Sequence, residues 1–327
     1  MESKKIFANF KGHIGEEPLS NLCQELLREQ KAIWPQLREG HRALENALIR
    51  DIPHLEFTLK AQWNQKRIVS TGARLDPASI RARPCFLCRE NLPEAQQAIL
   101  YRETYFILCN PAPIFPQHFT ITHIQHRPQA IHSALDAFLT LIQDFSPDFT
   151  VFYNGPRSGA SAPDHLHFQA VPACAMPVEG DLHAQGRLQM IKQVRDIDIF
   201  QAVNLGRSML MLEGAKKNSI LSVLSDIISA MKTDGYADNE PMMNLLGSYR
   251  GNRWRILLFP RRRNRPSVYD RPGDDRILIS PGGVEMGGFF ITPVEKDFRI
   301  LDAELVKTVF KDVSVDEETV TRMVGDL

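Results

Sequence analysis

Apolar and polar residues alternate with the period of an α-helix through the first part of the chain. Leucines recur at this spacing across residues 17–50, and Pro35 predicts a break between two helices. We expect residues 1–55 to form a helical arm that packs on the rest of the protein. The arm contains no chemical motif, and pairing of two copies into a homodimer is a second role compatible with it.

Short runs with the two-residue period of a β-strand predominate farther along the chain. Residues 57–74 predict a hairpin that turns near Asn64, and residues 105–122 predict two strands joined by a proline-rich turn. Helices are predicted at three further places: 129–145 and 219–233, both amphipathic and suited to cover a sheet, and the charged tail 293–327. This pattern predicts an α+β fold of antiparallel sheets with covering helices.

The most informative stretch joins two apolar segments through a loop of small residues. The apolar run 149–153 leads into a Gly-, Ser- and Pro-rich loop, and a second alternating segment begins at His165 and stops at Pro172. Alternation places His165, His167 and Gln169 on one face of this strand. Backbone N–H groups of such a loop can cradle a phosphate, and imidazoles can supply a nucleophile and donors. The alternative is an ordinary half-exposed strand that carries two histidines.

The second half of the chain repeats the order of helix, asparagine-bearing strand and proline-stopped strand. Its last strand, residues 253–260, ends at Pro260 as the histidine-bearing strand ends at Pro172. Aligning the two prolines places Arg253, Arg255 and Leu257 opposite His165, His167 and Gln169, respectively. We therefore expect a duplicated unit with copies at 56–178 and 179–327, the second degenerate because it lacks the histidines. One nucleophile per chain is predicted.

The composition is that of an ordinary globular protein. Hydrophobic residues make up 43% of the 327 positions, and 39 basic and 39 acidic side chains leave no net charge. This balance indicates neither a nucleic-acid-binding nor a membrane-binding surface, and the N-terminus lacks the apolar core of a signal peptide. Five cysteines, an odd number, favour a reducing compartment over a disulfide framework. We expect a cytoplasmic protein.

Two cysteines at the spacing of a metal knuckle precede the histidine-bearing strand. Cys85 and Cys88 lie in a stretch that predicts a tight turn, and two thiolates at this spacing can chelate one zinc ion. Because no second pair follows, histidines must complete a tetrahedron, and four are available: His118, His123, His126 and His165. A redox pair or two buried thiols are the alternatives.

The His-x-His-x-Gln sequence at 165–169, preceded by Gly-Ala-Ser at 159–161, resembles a motif of the histidine triad superfamily. The resemblance is to its galactose-1-phosphate uridylyltransferase branch, which includes diadenosine tetraphosphate phosphorylases and GDP-L-galactose phosphorylases. It spans residues 57–270. The chain departs from the uridylyltransferases in one respect, because Asp164 makes its loop one residue longer.

The resemblance implies roles for the motif and for residues outside it. His167 is implied as the nucleophile that forms a nucleotidyl-histidine intermediate, and Gln169 replaces the third histidine of hydrolytic relatives. Substrate-binding roles are implied for the following residues: Asn110, Asn154, Gly155, Gly159, Ser161 and, as a phosphate clamp, Arg74. A solvated surface arginine is an equal alternative for Arg74.

The resemblance also implies a zinc site with four ligands: Cys85, Cys88, His165 and either His123 or His126. We prefer His126, because it follows the preceding strand at the spacing that related proteins use. With four protein ligands the zinc is structural, since no coordination position stays open for chemistry. No organic cofactor is implied.

The expected activity is nucleotidyl transfer by double displacement. Neutral His167 attacks the α-phosphorus of a nucleoside diphosphate sugar or dinucleoside polyphosphate, and inorganic phosphate or a sugar phosphate then accepts the nucleotide. Because Gln169 cannot act as a general acid, transfer or phosphorolysis is favoured over hydrolysis. The alternatives are a hydrolase of nucleotide conjugates and a non-catalytic nucleotide-binding protein.

Overall fold

Eleven strands form one sheet in the part of the chain that the computed structural model describes, residues 5–54, 56–72, 76–231, 240–325 and 327. The strands are, in chain order, β1 (Ile6–Phe10), β2 (Leu48–Ile52), β3 (Leu59–Trp63), β4 (Ala98–Tyr101), β5 (Tyr105–Cys109), β6 (Phe119–His123), β7 (Phe149–Asn154), β8 (His167–Pro172), β9 (Leu188–Val194), β10 (Ile197–Ala202), β11 (Leu210–Gly214), β12 (Met243–Arg250), β13 (Arg253–Pro260) and β14 (Phe289–Thr292). The large sheet has the order β1-β4-β5-β6-β8-β7-β12-β13-β11-β10-β9, and a small sheet has the order β14-β3-β2.

Helices cover both faces of the large sheet. They are α1 (Leu19–Ile33), α2 (Pro35–Glu45), α3 (Ile68–Thr71), α4 (Pro77–Arg81), α5 (Leu135–Asp144), α6 (Pro177–Asp181), α7 (Lys217–Ala230), α8 (Gly283–Met286), α9 (Glu295–Ile300), α10 (Ala303–Val313) and α11 (Glu317–Gly325). One apolar core lies between the sheet and α1, α5 and α7, and a second lies between the sheet and β3, β14 and α10. The large sheet is antiparallel apart from the parallel pair β1–β4, so the predicted α+β class is confirmed.

The strand order is the same in the two halves of the large sheet when it is followed outward from the centre. From the central pair β7–β12, it is β7-β8-β6-β5-β4 on one side and β12-β13-β11-β10-β9 on the other. Phe152 and Leu246 pair across the centre, and Gln169 and Leu257 are their respective outer neighbours. Leu257 therefore has the place in its half that Gln169 has in the other, as the aligned prolines predict.

Helical periodicity locates most of the helices correctly. The segment 17–50 forms α1 and α2 with the break at Pro35, and the predicted helices at 129–145 and 219–233 appear as α5 and α7. The first segment ends earlier than predicted, at Glu45, because its last residues enter β2 and pair with β3. The predicted arm also contains β1, which joins the large sheet beside β4.

The predicted hairpin over residues 57–74 is wrong. Only its first strand forms, as β3, and its partners are the preceding strand β2 and, from a distant part of the chain, β14. After Asn64 the chain turns into a short 3-10 helix, Gln65–Arg67, and then α3. The Asn64 amide donates to the Pro113 carbonyl at 3.1 Å and so contacts the proline-rich turn. Arg74 lies outside the described residues.

Among the helices described, none combines the length and the apolar character that a membrane span requires.

Phe168 joins the large sheet to its covering helix. It is completely buried, and its ring stacks on Phe138 of α5 with centroids 5.5 Å apart. We expect Phe168→Ala to lower the free energy of unfolding by about 3–5 kcal/mol, because a cavity would remain between sheet and helix. Ile33→Ala, at an exposed position, should change it by less than about 0.5 kcal/mol. Urea unfolding measures both values, and similar losses in the two variants would contradict this account.

Candidate active site and metal centre

The histidine-bearing strand β8 lies between β6 and β7, which fix its position by backbone pairing. Side chains alternate along it, as predicted. Leu166 and Phe168 enter the core beneath α5. His167 and Gln169 line a cavity of about 760 Å³ on the opposite face of the sheet. Two of the three polar residues of the motif therefore meet at one cavity, and the third, His165, lies in a cluster of metal-ligating side chains instead.

His167 is almost completely buried, and one backbone carbonyl orients its ring. Nδ1 lies 2.8 Å from the carbonyl oxygen of His165. A carbonyl oxygen only accepts, so Nδ1 carries the proton and Nε2 keeps its lone pair. Burial lowers the pKa of the imidazole to about 4, which leaves the ring neutral near pH 7. This is the form that nucleophilic attack requires.

Gln129 holds the end of β7 against the start of β8. Its Oε1 accepts the backbone N–H of His167 at 2.7 Å, and its Nε2 donates to the carbonyls of Asn154 and His167 at 2.8 and 3.0 Å. The side chain is buried, so these bonds satisfy backbone groups that water cannot reach. The two strand ends that flank the small-residue loop are thus held at a fixed separation.

Four metal-ligating side chains converge beside the start of β8. The ligand atoms of Cys85, Cys88, His126 and His165 all lie within 4.8 Å of one another. Cys85 Sγ is 3.3 Å from His165 Nδ1, and Cys88 Sγ is 3.2 Å from His126 Nδ1. A tetrahedron with Zn–S about 2.3 Å and Zn–N about 2.0 Å has a sulfur–nitrogen edge of about 3.5 Å. The cluster could therefore bind a metal such as zinc.

His123 lies next to this cluster without belonging to it. Its Nδ1 accepts the backbone N–H of Gln125 at 3.0 Å. Its backbone carbonyl instead accepts a hydrogen bond from His165 Nε2 at 2.8 Å. The proton of His165 is thereby placed on Nε2, and Nδ1 is left for a metal. The arrangement agrees with the preference for His126 as the fourth ligand.

Gln169 is held by a histidine that the sequence analysis considered only as a metal ligand. His118 Nε2 lies 2.8 Å from Gln169 Oε1, and the backbone N–H of Ile114 donates to His118 Nδ1 at 3.2 Å. Because Nδ1 accepts, the ring proton is on Nε2 and is donated to Gln169. Burial, assisted by the charge of Arg67, lowers the pKa of His118 to about 3. The Gln169 amide is thus left with its NH₂ group as the donor to the cavity.

The small-residue loop after β7 packs against the C-terminal half of the chain. Gly159 has a φ of +90°, and a Cβ there would lie 2.6 Å from Gly282 Cα. Its N–H donates to Asn264 Oδ1 at 3.2 Å, and the N–H of Gly155 donates to a β12 carbonyl at 3.1 Å. Two of the amides expected to cradle phosphate therefore have partners within the protein. Gly159 and Ser161 line the cavity, and Gly155 does not.

The two asparagines that the resemblance implies as substrate ligands both line the cavity. Asn110 Oδ1 accepts a backbone N–H two residues farther along at 3.0 Å. Asn154 Oδ1 accepts the N–H of Gly283 at 2.7 Å and a hydrogen bond from Asn244 Nδ2 at 2.8 Å. Asn154 therefore ties the glycine-rich loop 280–288 to the end of β7.

Charged side chains that the sequence analysis did not assign also line the cavity, among them Arg67, Arg83 and Glu285. Arg83 Nη2 lies 3.2 Å from the Ser161 carbonyl and 3.3 Å from Asp164 Oδ1. Its Nη1 is buried without a hydrogen-bond partner in the described part of the chain. The residue that lengthens the loop therefore binds an arginine beside the cavity. Burial raises the pKa of the Glu285 carboxyl and lowers that of Arg67, and the two charges attract each other.

The comparisons with known proteins agree with this fold. A family described as a domain of unknown function (DUF4922) matches residues 26–172. No curated protein matches the sequence. Among solved structures, yeast Ap4A phosphorylase Apa2 matches with a TM-score of 0.62 and 14% identity, over 89% of this chain and 97% of that one. The chain has the fold of an Ap4A phosphorylase.

Two further structures of the yeast phosphorylase contain nucleotides. Its complex with AMP matches with a TM-score of 0.59 at 16% identity, over 89% of this chain and 96% of that one. Its complex with Ap4A matches with a TM-score of 0.54 at 15% identity, over 86% and 97% of the two chains. The resemblance drawn from the His-x-His-x-Gln motif is therefore confirmed at the level of the fold.

Three residues that no sequence motif marks contribute to the site. His118 and Gln129 form hydrogen bonds with Gln169 and His167, and Arg83 lines the cavity. His118 alternates with Thr120 along the chain, and Thr120 pairs with Gln169 across β6 and β8. The signal for His118 is therefore a shared strand face, which becomes visible only when the pairing of the two strands is known.

Cys85 supplies one of the two thiolates of the metal cluster. We expect the purified protein to contain one tightly bound metal ion per chain and Cys85→Ser to lose it, because a hydroxyl is a much weaker zinc ligand. Elemental mass spectrometry measures the content. Cys174→Ser, at an exposed cysteine outside the cluster, is the matched control and should keep the metal. Full metal content in Cys85→Ser would rule the cluster out as the binding site.

The buried, neutral His118 makes stability depend on pH. In the unfolded chain this histidine takes up a proton below a pH of about 6.5, whereas in the folded protein it stays neutral to about pH 3. The unfolded state therefore binds more protons in this window, and stability falls as the pH falls. Between pH 7 and pH 5, the free energy of unfolding should fall by about 2 kcal/mol less in His118→Gln than in the wild type.

Denaturant unfolding at a series of pH values tests this expectation. His132→Gln, at an exposed histidine, is the control and should keep the wild-type pH dependence. A His118→Gln variant that loses as much stability as the wild type between pH 7 and pH 5 would refute it.

Proposed function

We propose that this protein is a nucleotidyltransferase of the phosphorylase type that carries a nucleotidyl group on His167. The observation that carries the proposal is a neutral imidazole at a cavity of about 760 Å³, with Nδ1 bound to the His165 carbonyl and Nε2 left as the nucleophile. A cavity of this size accommodates a nucleotide. The yeast phosphorylase was solved with AMP and with Ap4A, which supports dinucleoside polyphosphates as proposed substrates. Nucleoside diphosphate sugars are proposed from the motif resemblance alone.

In the first step, His167 Nε2 attacks the α-phosphorus of the substrate. A phosphorus–nitrogen bond forms and the bridging phosphorus–oxygen bond opposite it breaks, so the phosphorylated leaving group departs with the electron pair. The ring becomes cationic, and its Nδ1–H remains bound to the His165 carbonyl. Because the ring starts neutral, the step needs no separate base.

In the second step, an oxygen of inorganic phosphate or of a sugar phosphate attacks the same phosphorus. A new phosphorus–oxygen bond forms, the phosphorus–nitrogen bond breaks, and neutral His167 is restored. The leaving groups of both steps carry phosphate and need little protonation, which suits a site with Gln169 in place of an acid. The sequence of two displacements predicts ping-pong kinetics.

Donors around the cavity are proposed to hold the substrate. The NH₂ group of Gln169, the Ser161 hydroxyl and Arg83 Nη1 would bind the phosphate oxygens. Asn110 and Asn154 would contact the nucleoside, and Gly155 and Gly159 would shape the loop around the phosphates. Arg74 is proposed as a phosphate clamp from the resemblance alone.

We propose zinc as the metal of the cysteine–histidine cluster, with a structural role. The residues that would hold it are Cys85, Cys88, His126 and His165. Zinc with four protein ligands supplies rigidity and no open coordination position. Its effect would be to fix His165, whose carbonyl orients the ring of His167.

The proposed organisation is an N-terminal arm at residues 1–55 followed by two copies of one unit, at 56–178 and 179–327. The identical strand order on both sides of β7–β12 supports the duplication. The second copy lacks the two histidines of the motif, so one nucleophile per chain is proposed. A homodimer and a cytoplasmic location complete the proposal.

A covalent adduct on His167 is the decisive test. We expect brief incubation with Ap4A to increase the intact mass of the protein by one nucleotidyl group, because the second step waits for phosphate. The adduct should be acid-labile and stable in alkali, as a phosphorus–nitrogen bond is. His167→Ala should form no adduct and should lose activity by about a thousandfold or more. His132→Ala, at an exposed histidine, should behave as the wild type.

The outcomes separate the remaining functions. Turnover that requires added phosphate supports phosphorolysis, and turnover in water alone indicates a hydrolase. Binding of Ap4A without an adduct or turnover indicates a nucleotide-binding protein, and an adduct that persists in His167→Ala would exclude this residue as the nucleophile.

A further inference from the structure

The second half of the large sheet carries arginines where the first half carries the histidine motif. Leu257 has the place of Gln169 in the pairing, so Arg255, two residues earlier, has the place of the proposed nucleophile. Arg253 lies two residues before Arg255 on the same face of β13, and Arg250 of β12 pairs directly with Arg253. Like charges opposite each other on neighbouring strands are unfavourable unless anions compensate them. Asp198 and Glu213 do so for Arg253.

These arginines line a cavity of their own. It has a volume of about 170 Å³ and shares no lining residue with the cavity at His167. Leu246 and Leu257 contribute apolar walls, and Glu179 and Glu213 line it with the three arginines. Three guanidinium groups and two carboxylates thus line the cavity, and a third carboxylate, that of Asp198, lies against Arg253.

The carboxylates do not accept hydrogen bonds from all of the N–H groups of the three arginines. Arg253 is paired with Asp198 at 3.0 Å and with Glu213 at 3.4 Å. Glu213 lies 3.6 Å from Arg255 Nη2, beyond normal hydrogen-bond distance, and Arg255 Nε is buried without a hydrogen-bond partner in the described ranges. Arg250 Nη2 lies 3.3 Å from the sulfur of Cys174, a weak acceptor. Glu179, the other carboxylate, accepts from the Thr150 hydroxyl at 2.5 Å.

We propose that this cavity is a binding site for inorganic phosphate. Guanidinium groups match the oxygens of phosphate through paired donors, and Arg250 and Arg255 have donors available for it. At about 30 Å³ per water molecule, the cavity holds about six waters, which suits a small oxyanion with part of its hydration shell. Nucleotide-sized ligands need about 300 Å³ or more. The site is independent of the nucleotidyl transfer proposed for His167.

Calorimetric titration with inorganic phosphate at constant ionic strength tests the proposal. We expect the wild type to bind phosphate and Arg255→Gln to bind it about tenfold or more weakly, because a charged donor is lost. Ser161→Ala changes only the cavity at His167, so it should bind phosphate at the arginine-lined cavity as the wild type does. Arg299→Gln, which removes an exposed arginine paired with Glu295, is the matched surface control and should bind as the wild type.

A second variant separates binding from folding. Arg255→Gln leaves Glu213 without one of its partners. The double variant Arg255→Gln/Glu213→Gln removes both charges and so restores the charge balance. We expect it to lose phosphate binding and to keep the circular dichroism spectrum of the wild type. The proposal is overturned if the wild type does not bind phosphate, if either variant binds it as tightly as the wild type, or if Ser161→Ala abolishes binding.

Discussion

The hydrogen bond from the His167 ring to the His165 carbonyl is the contact on which the candidate site depends. It fixes the tautomer, so that Nδ1 carries the proton and Nε2 keeps the lone pair at the cavity. The carbonyl belongs to a residue whose side chain lies in the metal cluster. A metal bound there would therefore act on the proposed chemistry through position alone, since it would fix the backbone that orients the nucleophile.

A second constraint joins the two halves of the chain at the cavity. Asn154 ends β7 and accepts hydrogen bonds from Asn244 on β12 and from Gly283 in the C-terminal loop. Arg261 is buried beside them and donates to Asn244 Oδ1 at 2.6 Å and to the Pro281 carbonyl at 2.9 Å. A buried guanidinium is tolerated only when its donors are satisfied. This network therefore holds the loop 280–288 in place, and residues of the loop line the cavity.

The two halves of the sheet have the same strand order but carry different side chains at equivalent positions. The connection after each central strand also differs between them. Between β7 and β8 the chain makes a long loop that carries the small residues and His165 of the candidate metal cluster. Between β12 and β13 it turns through Gly251 and Asn252, both with positive φ, in a tight hairpin. The short turn leaves no loop to surround the phosphates of a nucleotide, and arginines replace the histidines on the strand that follows. The second half therefore presents a small cavity lined by arginines and glutamates.

Local pattern alone determined the helices α1, α2, α5 and α7, the alternation along β8 and the Cys85–Cys88 pair, because each depends on residues close together in the chain. The histidines of the metal cluster were implied by the family resemblance, and the fold brings them beside the cysteines. The strand partners were decided only by the tertiary structure. The predicted hairpin at Asn64 failed because β3 pairs with the preceding strand β2 and with the distant strand β14. His118 was not assigned to the site because its contact with Gln169 joins two strands. Hydrophobic periodicity states which face a residue occupies, but it does not state which strand lies beside it. The cavity at His167, assembled from both halves of the chain, is for that reason a property of the fold.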